Sequence, residues 1–163
     1  MILLKVILQT NQSDCLLACA AMIMETYGCK VPVYKLVEKV ELSMAGSTVL
    51  QLKETLEEFG FTVDGYRLDK EKLSQTKLPL IAYVNNGHFI VISKVRKNSI
   101  IGIDPAIGRI AYSNDEFGKM YSGVVIKIQK SNMNSIQTKP HQMNILSSFK
   151  NKKIVNILIG LFI

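Results

Sequence analysis

The hydrophobic pattern of this chain changes its period once, close to Gly60. Before that glycine, apolar residues recur every three or four positions and predict three helices. The first covers residues 15–27, the second starts at Pro32, and the third starts after Gly46 with Ser47 or Thr48 as its cap. After Gly60, short β-branched and aromatic runs predict strands. Helices followed by a sheet are an α+β arrangement. We therefore expect N-terminal helices packed on a C-terminal antiparallel β-sheet.

Turn-forming residues divide the chain into its elements. Gly28 and Gly60 are placed to end helices in the left-handed conformation, and Ser13 or Asp14 to cap the first helix. Asn85-Asn86-Gly87 predicts a tight hairpin turn. Strands are predicted over residues 2–8, 61–67, 78–84, 88–95, 99–104, 107–112 and 124–129, with short helical segments over 69–75 and 115–121.

Composition limits the class of protein. The 163-residue chain is long enough to bury one substantial core, and 48% of its residues are hydrophobic, which excludes disorder over residues 1–130. Its formal charge is +7, but the lysines are dispersed and not interleaved with aromatic residues, so no nucleic-acid partner is expected. This charge is attributed to solvated surface, with attraction to an acidic peptide or to a membrane surface as the alternative.

Three cysteines, Cys15, Cys19 and Cys29, lie close together in the sequence. Their odd number, and the lack of secretory-signal features in residues 1–8, favour reduced thiols in a cytosolic compartment. Cys15 and Cys19 share one helix face, a spacing that does not by itself make a metal site.

The regular pattern weakens after residue 130. Residues 131–142 are polar, and we predict a linker over residues 131–149, in which His141 is expected to be solvated. Residues 150–163 begin with lysines and continue as an apolar run that is shorter than the roughly 20 residues needed to cross a bilayer. This run is either an amphipathic or packed segment, or the start of a transmembrane helix that the sequence truncates. We favour the second interpretation, with the preceding domain on the cytoplasmic side.

Cys15 is the strongest candidate for chemistry. It opens the first predicted helix, where the helix dipole favours a thiolate, and a thiolate is a nucleophile. Gln9, six residues upstream, has a side-chain amide that could donate to an oxyanion. The alternative is that Cys15 is a small buried core residue, as most free cysteines are. On this stretch alone, packing is the favoured interpretation.

His88 and Asp104 supply what a thiol nucleophile needs. If residues 88–95 and 99–104 form a hairpin about Lys97-Asn98, His88 and Asp104 lie at facing ends of paired strands. An aspartate there can accept from one imidazole nitrogen and leave the other to face the thiol. Each residue alone is a weak signal, since strand histidines and Asp-Pro turns are common.

The order of these motifs resembles one family. Gln9, Asp14-Cys15, Gly87-His88-Phe89-Ile90-Val91 and Asp104-Pro105 resemble the C39 peptidases, the cytosolic cysteine protease domains of peptidase-containing ABC transporters. The resemblance runs from about residue 4 to residue 130 and implies a papain-like fold. It also implies that Cys15 is the nucleophile, His88 the general base and then acid, Asp104 its orienting partner, and Gln9 part of the oxyanion hole.

The resemblance further implies an activity and its context. The expected reaction is cleavage of a bacteriocin or lanthipeptide precursor after a double-glycine type leader, coupled to export. The expected partners are a precursor with an amphipathic helical leader and the transmembrane and nucleotide-binding domains of an ABC transporter. The peptidase domain itself needs no cofactor, and ATP and Mg²⁺ belong to the transporter part. The expected location is the cytoplasmic side of the bacterial cell membrane.

Two alternative functions and one departure stay open. The chain could be a non-catalytic domain that docks leader peptides, although the cysteine argues against this, or an amidase or transglutaminase-like enzyme. Leu16 stands where the family often has glycine, and we expect it to narrow the cleft or alter the accepted residue. Tyr66, Leu68 and Tyr83 are candidates for a leader groove, although core packing is the favoured interpretation for them.

Overall fold

Three helices occupy the first part of the chain, as its apolar periodicity predicts. The computed structural model describes residues 4–40, 47–85 and 87–131, and within them the helices are α1 (Cys15–Thr26), α2 (Val33–Val40) and α3 (Val49–Glu57). A 3₁₀ turn over Gln12–Asp14 leads directly into α1. These elements place Cys15 at the first position of a helix, as expected.

The helix ends follow the predicted turn chemistry. Gly28 adopts φ +81° past the end of α1, and the following residue's N–H donates to the carbonyl of Met24 at 3.1 Å. Thr48 caps α3: its hydroxyl accepts from Gln51 N at 3.1 Å, and Gln51 Oε1 accepts from Thr48 N at 2.9 Å. Local sequence therefore determines where these helices start and stop.

α1 is buried on all sides. Every residue from Cys15 to Met24 is at most 5% exposed. A helix that is apolar around its whole circumference belongs in a core. α1 accordingly contacts both α2 and the sheet, and it is the central helix of the fold.

The rest of the described chain forms a six-stranded antiparallel sheet. The strands are β1 (Phe61–Arg67), β2 (Leu80–Val84), β3 (His88–Val95), β4 (Ser99–Asp104), β5 (Gly108–Ser113) and β6 (Tyr121–Lys130). Their order across the sheet is β1-β6-β2-β3-β4-β5. A 3₁₀ helix (Lys70–Gln75) joins β1 to β2, and α4 (Asn114–Met120) joins β5 to β6. The α+β prediction is confirmed.

The sheet is covered on both faces at its centre. α1 packs on β3, and successive residues of the central strands alternate between the two sides. The helix-side core takes Ile81, Val91 and Ile126. The opposite core takes Ala82, Ile90 and Val125, with Leu73 and Phe117 as its cover. Burial on both faces fixes the register of β3 and thereby the position of His88 at its start.

The strand predicted over residues 2–8 is wrong in its described part. Residues 4–8 form no strand, although Leu4 is buried in the helix-side core. The segment is held by separate bonds: Arg109 Nη2 donates to Leu4 O at 2.8 Å, and Gln9 N donates to Pro105 O at 2.8 Å. Two isolated bonds are not a strand ladder.

The predictions for the C-terminal part concern residues outside the described ones. This applies to the linker over residues 131–149 beyond residue 131, to His141, and to the apolar segment over residues 150–163. Across the part of the chain that the structure describes, no helix is long and apolar enough to span a bilayer.

Candidate active site

A tight turn fixes the start of α1, where Cys15 lies. Asp14 is 2% exposed; its N–H donates to Asn11 O at 3.1 Å, and its carboxylate accepts from Asn11 N at 3.0 Å and from Ser13 Oγ at 3.2 Å. Asp14 is the N-cap residue of α1, as one of the two expected candidates, but its carboxylate turns back to the preceding residues and makes no cap hydrogen bond to α1. This turn presents Cys15, which is 5% exposed, with its backbone N–H at the helix N-terminus.

The predicted hairpin brings His88 and Asp104 together. β3 pairs antiparallel with β4, with Val91 opposite Ile103, so that the start of β3 and the end of β4 lie at the same edge of the sheet. His88 Nε2 and Asp104 Oδ1 are 2.8 Å apart, and the same oxygen accepts from Ala106 N at 2.8 Å. Asp104 is 8% exposed, and the bond from Ala106 N restricts the orientation of its carboxylate. With Nε2 bound to Asp104, Nδ1 is the ring nitrogen left for Cys15.

The charge state of His88 reflects both neighbours. A hydrogen bond with Cys15 is the largest cause that raises the pKa of His88, followed among the raising causes by the hydrogen bond with Asp104. Partial burial acts in the opposite direction, and the net result is a pKa of about 9. The imidazole is therefore protonated at neutral pH, between a sulfur on one side and a carboxylate on the other.

Gln9 reaches the same region from the N-terminal segment. Its backbone N–H donates to the carbonyl of Pro105, the residue after Asp104. Its side-chain Oε1 is buried and has no partner among the described residues. The structure thus brings the four predicted residues to one end of the sheet: Cys15 near enough to His88 to raise its pKa, Asp104 bound to His88, and Gln9 bound to the turn that follows Asp104.

Two neighbours of the site were not assigned to the catalytic group from the sequence: Cys19, and Tyr83, which was named only as a candidate for the leader groove. Cys19 lies one turn after Cys15, and its thiol donates to Phe89 O at 3.4 Å. Burial first, and then the charges of Cys15 and Asp104, raise the pKa of Cys19 well above its usual value. Cys19 therefore stays a neutral thiol beneath the candidate nucleophile. Its spacing of four from Cys15 is the signal that places it on the same face.

Tyr83 is the second such neighbour. It lies opposite Phe89 in the β2–β3 register, with ring centroids 5.1 Å apart, and its buried hydroxyl has no partner among the described residues. Burial and the charge of Cys15 raise its pKa. The sequence could have indicated this position, because a hairpin turn at Asn85–Gly87 places Tyr83 on the strand next to the one that begins with His88. The other two leader-groove candidates, Tyr66 and Leu68, pack against the opposite core instead.

Leu16 does not lie where its expected effect requires. Its side chain is 1% exposed and belongs to the helix-side core. The expectation that Leu16 narrows a cleft is wrong, because the turn of the helix directs this position inward while Cys15 faces His88.

Within the described ranges, no three histidine, cysteine or acidic side chains are grouped to hold a metal ion.

The fold and the site define a class of protein. A cysteine at a helix N-terminus, faced by a histidine that is bound to an aspartate on the neighbouring strand, is the arrangement of papain-like cysteine peptidases. The model of the peptidase C39 family matches residues 4–133, and the chain belongs to this family.

The relatives are processing transporters. The chain is 32% identical to the lacticin-481/lactococcin-DR transport/processing ATP-binding protein of Lactococcus lactis subsp. lactis, over 98% of this chain and 24% of that protein. It is also 32% identical to the lactococcin-G-processing and transport ATP-binding protein of the same subspecies, over 75% of this chain and 18% of that protein. The chain thus spans a quarter or less of the length of these curated relatives.

Solved structures share the fold. A double-glycine motif protease from an AMS/PCAT transporter, in complex with its leader peptide, superposes with a TM-score of 0.73 at 26% identity, covering 78% of this chain and 91% of that one. The peptidase domain of Streptococcus ComA, a bi-functional ABC transporter, gives a TM-score of 0.72 at 23% identity, covering 79% and 99%. The second likeness is one of fold alone.

Proposed function

We propose that this chain is a cysteine endopeptidase domain that removes the leader of a precursor peptide after a double-glycine type motif. One observation carries the proposal: His88 holds Asp104 at 2.8 Å through Nε2 and interacts with Cys15, which raises the pKa of His88, across the seam between helix and sheet. The likeness to a double-glycine motif protease with bound leader peptide supports the choice of substrate.

The acylation step uses the charge state of His88. The Cys15 thiolate attacks the carbonyl carbon before the scissile bond and forms a tetrahedral oxyanion. The N–H of Cys15 and the side-chain amide of Gln9 donate to this oxyanion. His88 gives its proton to the leaving nitrogen, the C–N bond breaks, and a thioester and a free amine remain. A histidine with a pKa of about 9 holds that proton at neutral pH.

The deacylation step reverses the role of His88. The now neutral imidazole takes a proton from water, and the resulting hydroxide attacks the thioester carbon. The C–S bond breaks, the leader leaves as a carboxylic acid, and the thiolate–imidazolium pair forms again. Asp104 keeps Nε2 engaged in both steps, and the N–H of Ala106 holds the Asp104 carboxylate in place.

The wider context is part of the proposal. We assign the peptidase to residues 1–130, a linker to residues 131–149, and the start of a transmembrane helix to residues 150–163. The domain would lie on the cytoplasmic side of the membrane beside the transmembrane and nucleotide-binding domains of an ABC transporter. Its substrate would present an amphipathic helical leader. The peptidase would need no cofactor, whereas ATP and Mg²⁺ would act on the transporter.

Mass spectrometry of a double-glycine precursor incubated with the protein tests the activity. We expect a single cut after the small-residue pair, abolished by Cys15→Ala. Cys29→Ala is the matched control, since Cys29 is a partly exposed free cysteine in the loop after α1. Cleavage that survives Cys15→Ala contradicts the proposal. Binding of the leader without any cleavage favours the docking alternative, and ammonia release from glutamine side chains favours the amidase alternative.

A further inference from the structure

A hydrogen bond joins α1 to β3 beside the candidate site. The thiol of Cys19 donates to the carbonyl oxygen of Phe89 at 3.4 Å. Cys19 is fully buried one helical turn after Cys15, and Phe89 directly follows His88 in the chain. The bond therefore connects the helix that carries the candidate nucleophile to the strand that carries the candidate base, close to both residues.

The start of β3 is held differently on its two sides. β2 pairs with β3 as far as the first residue of β3, where Val84 lies opposite His88. The pairing of β3 with β4 begins farther along the strand, at Val91 opposite Ile103. His88 and Phe89 thus precede the residues that the β4 ladder holds. A bond from α1 to the Phe89 carbonyl adds a restraint at this place, and it fixes the strand relative to the helix.

The thiol of Cys19 is a lasting donor for this bond. Burial is the largest cause that raises the pKa of Cys19 well above its usual value, and the negative charges of Cys15 and Asp104 add to it. Cys19 therefore keeps its proton, which only the neutral thiol can donate to a carbonyl oxygen. A buried, protonated thiol is also a poor nucleophile, so Cys19 does not compete with Cys15.

We infer that Cys19 is a positioning residue of the candidate active site, whose bond to Phe89 sets the separation between the Cys15 sulfur and the His88 imidazole. This inference rests on the proposed peptidase function and adds a residue that touches neither the substrate nor the reacting atoms. The alternative is that Cys19 only fills space between α1 and the sheet, as buried cysteines commonly do. Loss of the bond would weaken the interaction of Cys15 with His88, whereas loss of volume alone would lower only stability.

Three variants separate the bond from the packing. Cys19→Ala removes the donor together with one heavy atom, and Cys19→Ser keeps a donor. Ile23→Val, the matched control, removes one heavy atom from another fully buried side chain of α1 in the same core. We expect Cys19→Ala to lower kcat for precursor cleavage about tenfold with little change in KM, because a small displacement of reacting groups slows their reaction. Cys19→Ser should recover most of kcat, and Ile23→Val should stay near the wild-type value.

Titration of the His88 ring, followed by nuclear magnetic resonance, is a readout that packing alone would not move. We expect the pKa of His88 to fall by at least about 0.5 pH unit in Cys19→Ala, since a weaker interaction with Cys15 raises it less, and to stay unchanged in Ile23→Val. Circular dichroism first shows that each variant is folded.

Three results overturn the inference: an unchanged pKa of His88 in Cys19→Ala, equal losses of kcat in Cys19→Ala and Ile23→Val, or a Cys19→Ser variant no better than Cys19→Ala. All three leave the peptidase activity of the wild type intact. A wild type that does not cleave the precursor overturns the proposed function instead. The pKa of His88 in the variants then still decides the role of Cys19, so the two failures are distinguishable.

Discussion

The pKa of His88 offers a direct test of the site, because it depends on its contact with Cys15. The hydrogen bond with Cys15 is the largest cause that raises this pKa to about 9, against about 6.5 for free histidine. Cys15→Ala removes that cause and leaves Asp104 and partial burial, which act in opposite directions. We expect the pKa of His88 to fall by more than 1 pH unit, or about 1.4 kcal/mol of lost differential interaction.

Nuclear magnetic resonance can follow this titration cleanly. The chain has two histidines, so His88 and His141 give two ring signals, and His88→Gln assigns them. The macroscopic value measured in the wild type belongs to the thiol–imidazole pair, which is why the variant is needed. Cys29→Ala should leave the His88 curve in place. A His88 signal that titrates near 6.5 in the wild type, or that does not move in Cys15→Ala, refutes the pairing.

Three further predictions follow from the same geometry. Because the pKa of His88 is higher in the folded than in the unfolded chain, protonated His88 stabilises the fold. This contribution is complete below about pH 6.5 and is lost as the pH rises through about 9. Thermal denaturation across about pH 6–10 should therefore show a smaller decline of the melting temperature in His88→Gln than in the wild type. Gln9→Ala should lower kcat about 100-fold with little change in KM, since an oxyanion donor acts mainly in the transition state; steady-state kinetics with unchanged circular dichroism checks this. Asp104→Ala should lower kcat at least about tenfold more than Asp104→Asn, whose amide oxygen can still accept from His88 and from Ala106 N; equal losses would contradict the positioning role.

The secondary structure was largely predictable because its signals are local. The bounds of β1, β3 and β4 agree with the predicted strands, and Thr48 and Gly28 act as the expected helix cap and stop. Burial period and turn chemistry determine such elements within a few residues of sequence. The segment over residues 4–8 failed this test: it alternates like a strand, but only isolated bonds to distant residues hold it.

The candidate site was predictable in its members and not in its surroundings. Cys15, His88, Asp104 and Gln9 were named from residue type, order and position, and the structure brings them to one end of the sheet. Their catalytic roles stay predictions until they are measured. The carboxylate of Asp14 was expected to cap α1. It instead accepts from Asn11 N and Ser13 Oγ, two donors within the short turn before the helix.

By itself, the sequence determined the order of helices and strands, the places where they turn, and the residue types available for thiol chemistry, because each of these depends on near neighbours. Tertiary structure alone decided which side chains meet. Cys19 bonds Phe89 across 70 positions and Arg109 bonds Leu4 across 105, and no local pattern encodes either contact. Packing of the elements likewise buries Leu16 and leaves Leu8 and Ile107 exposed. Whether an apolar side chain is buried depends on which other elements pack against it, and residue type alone does not determine this.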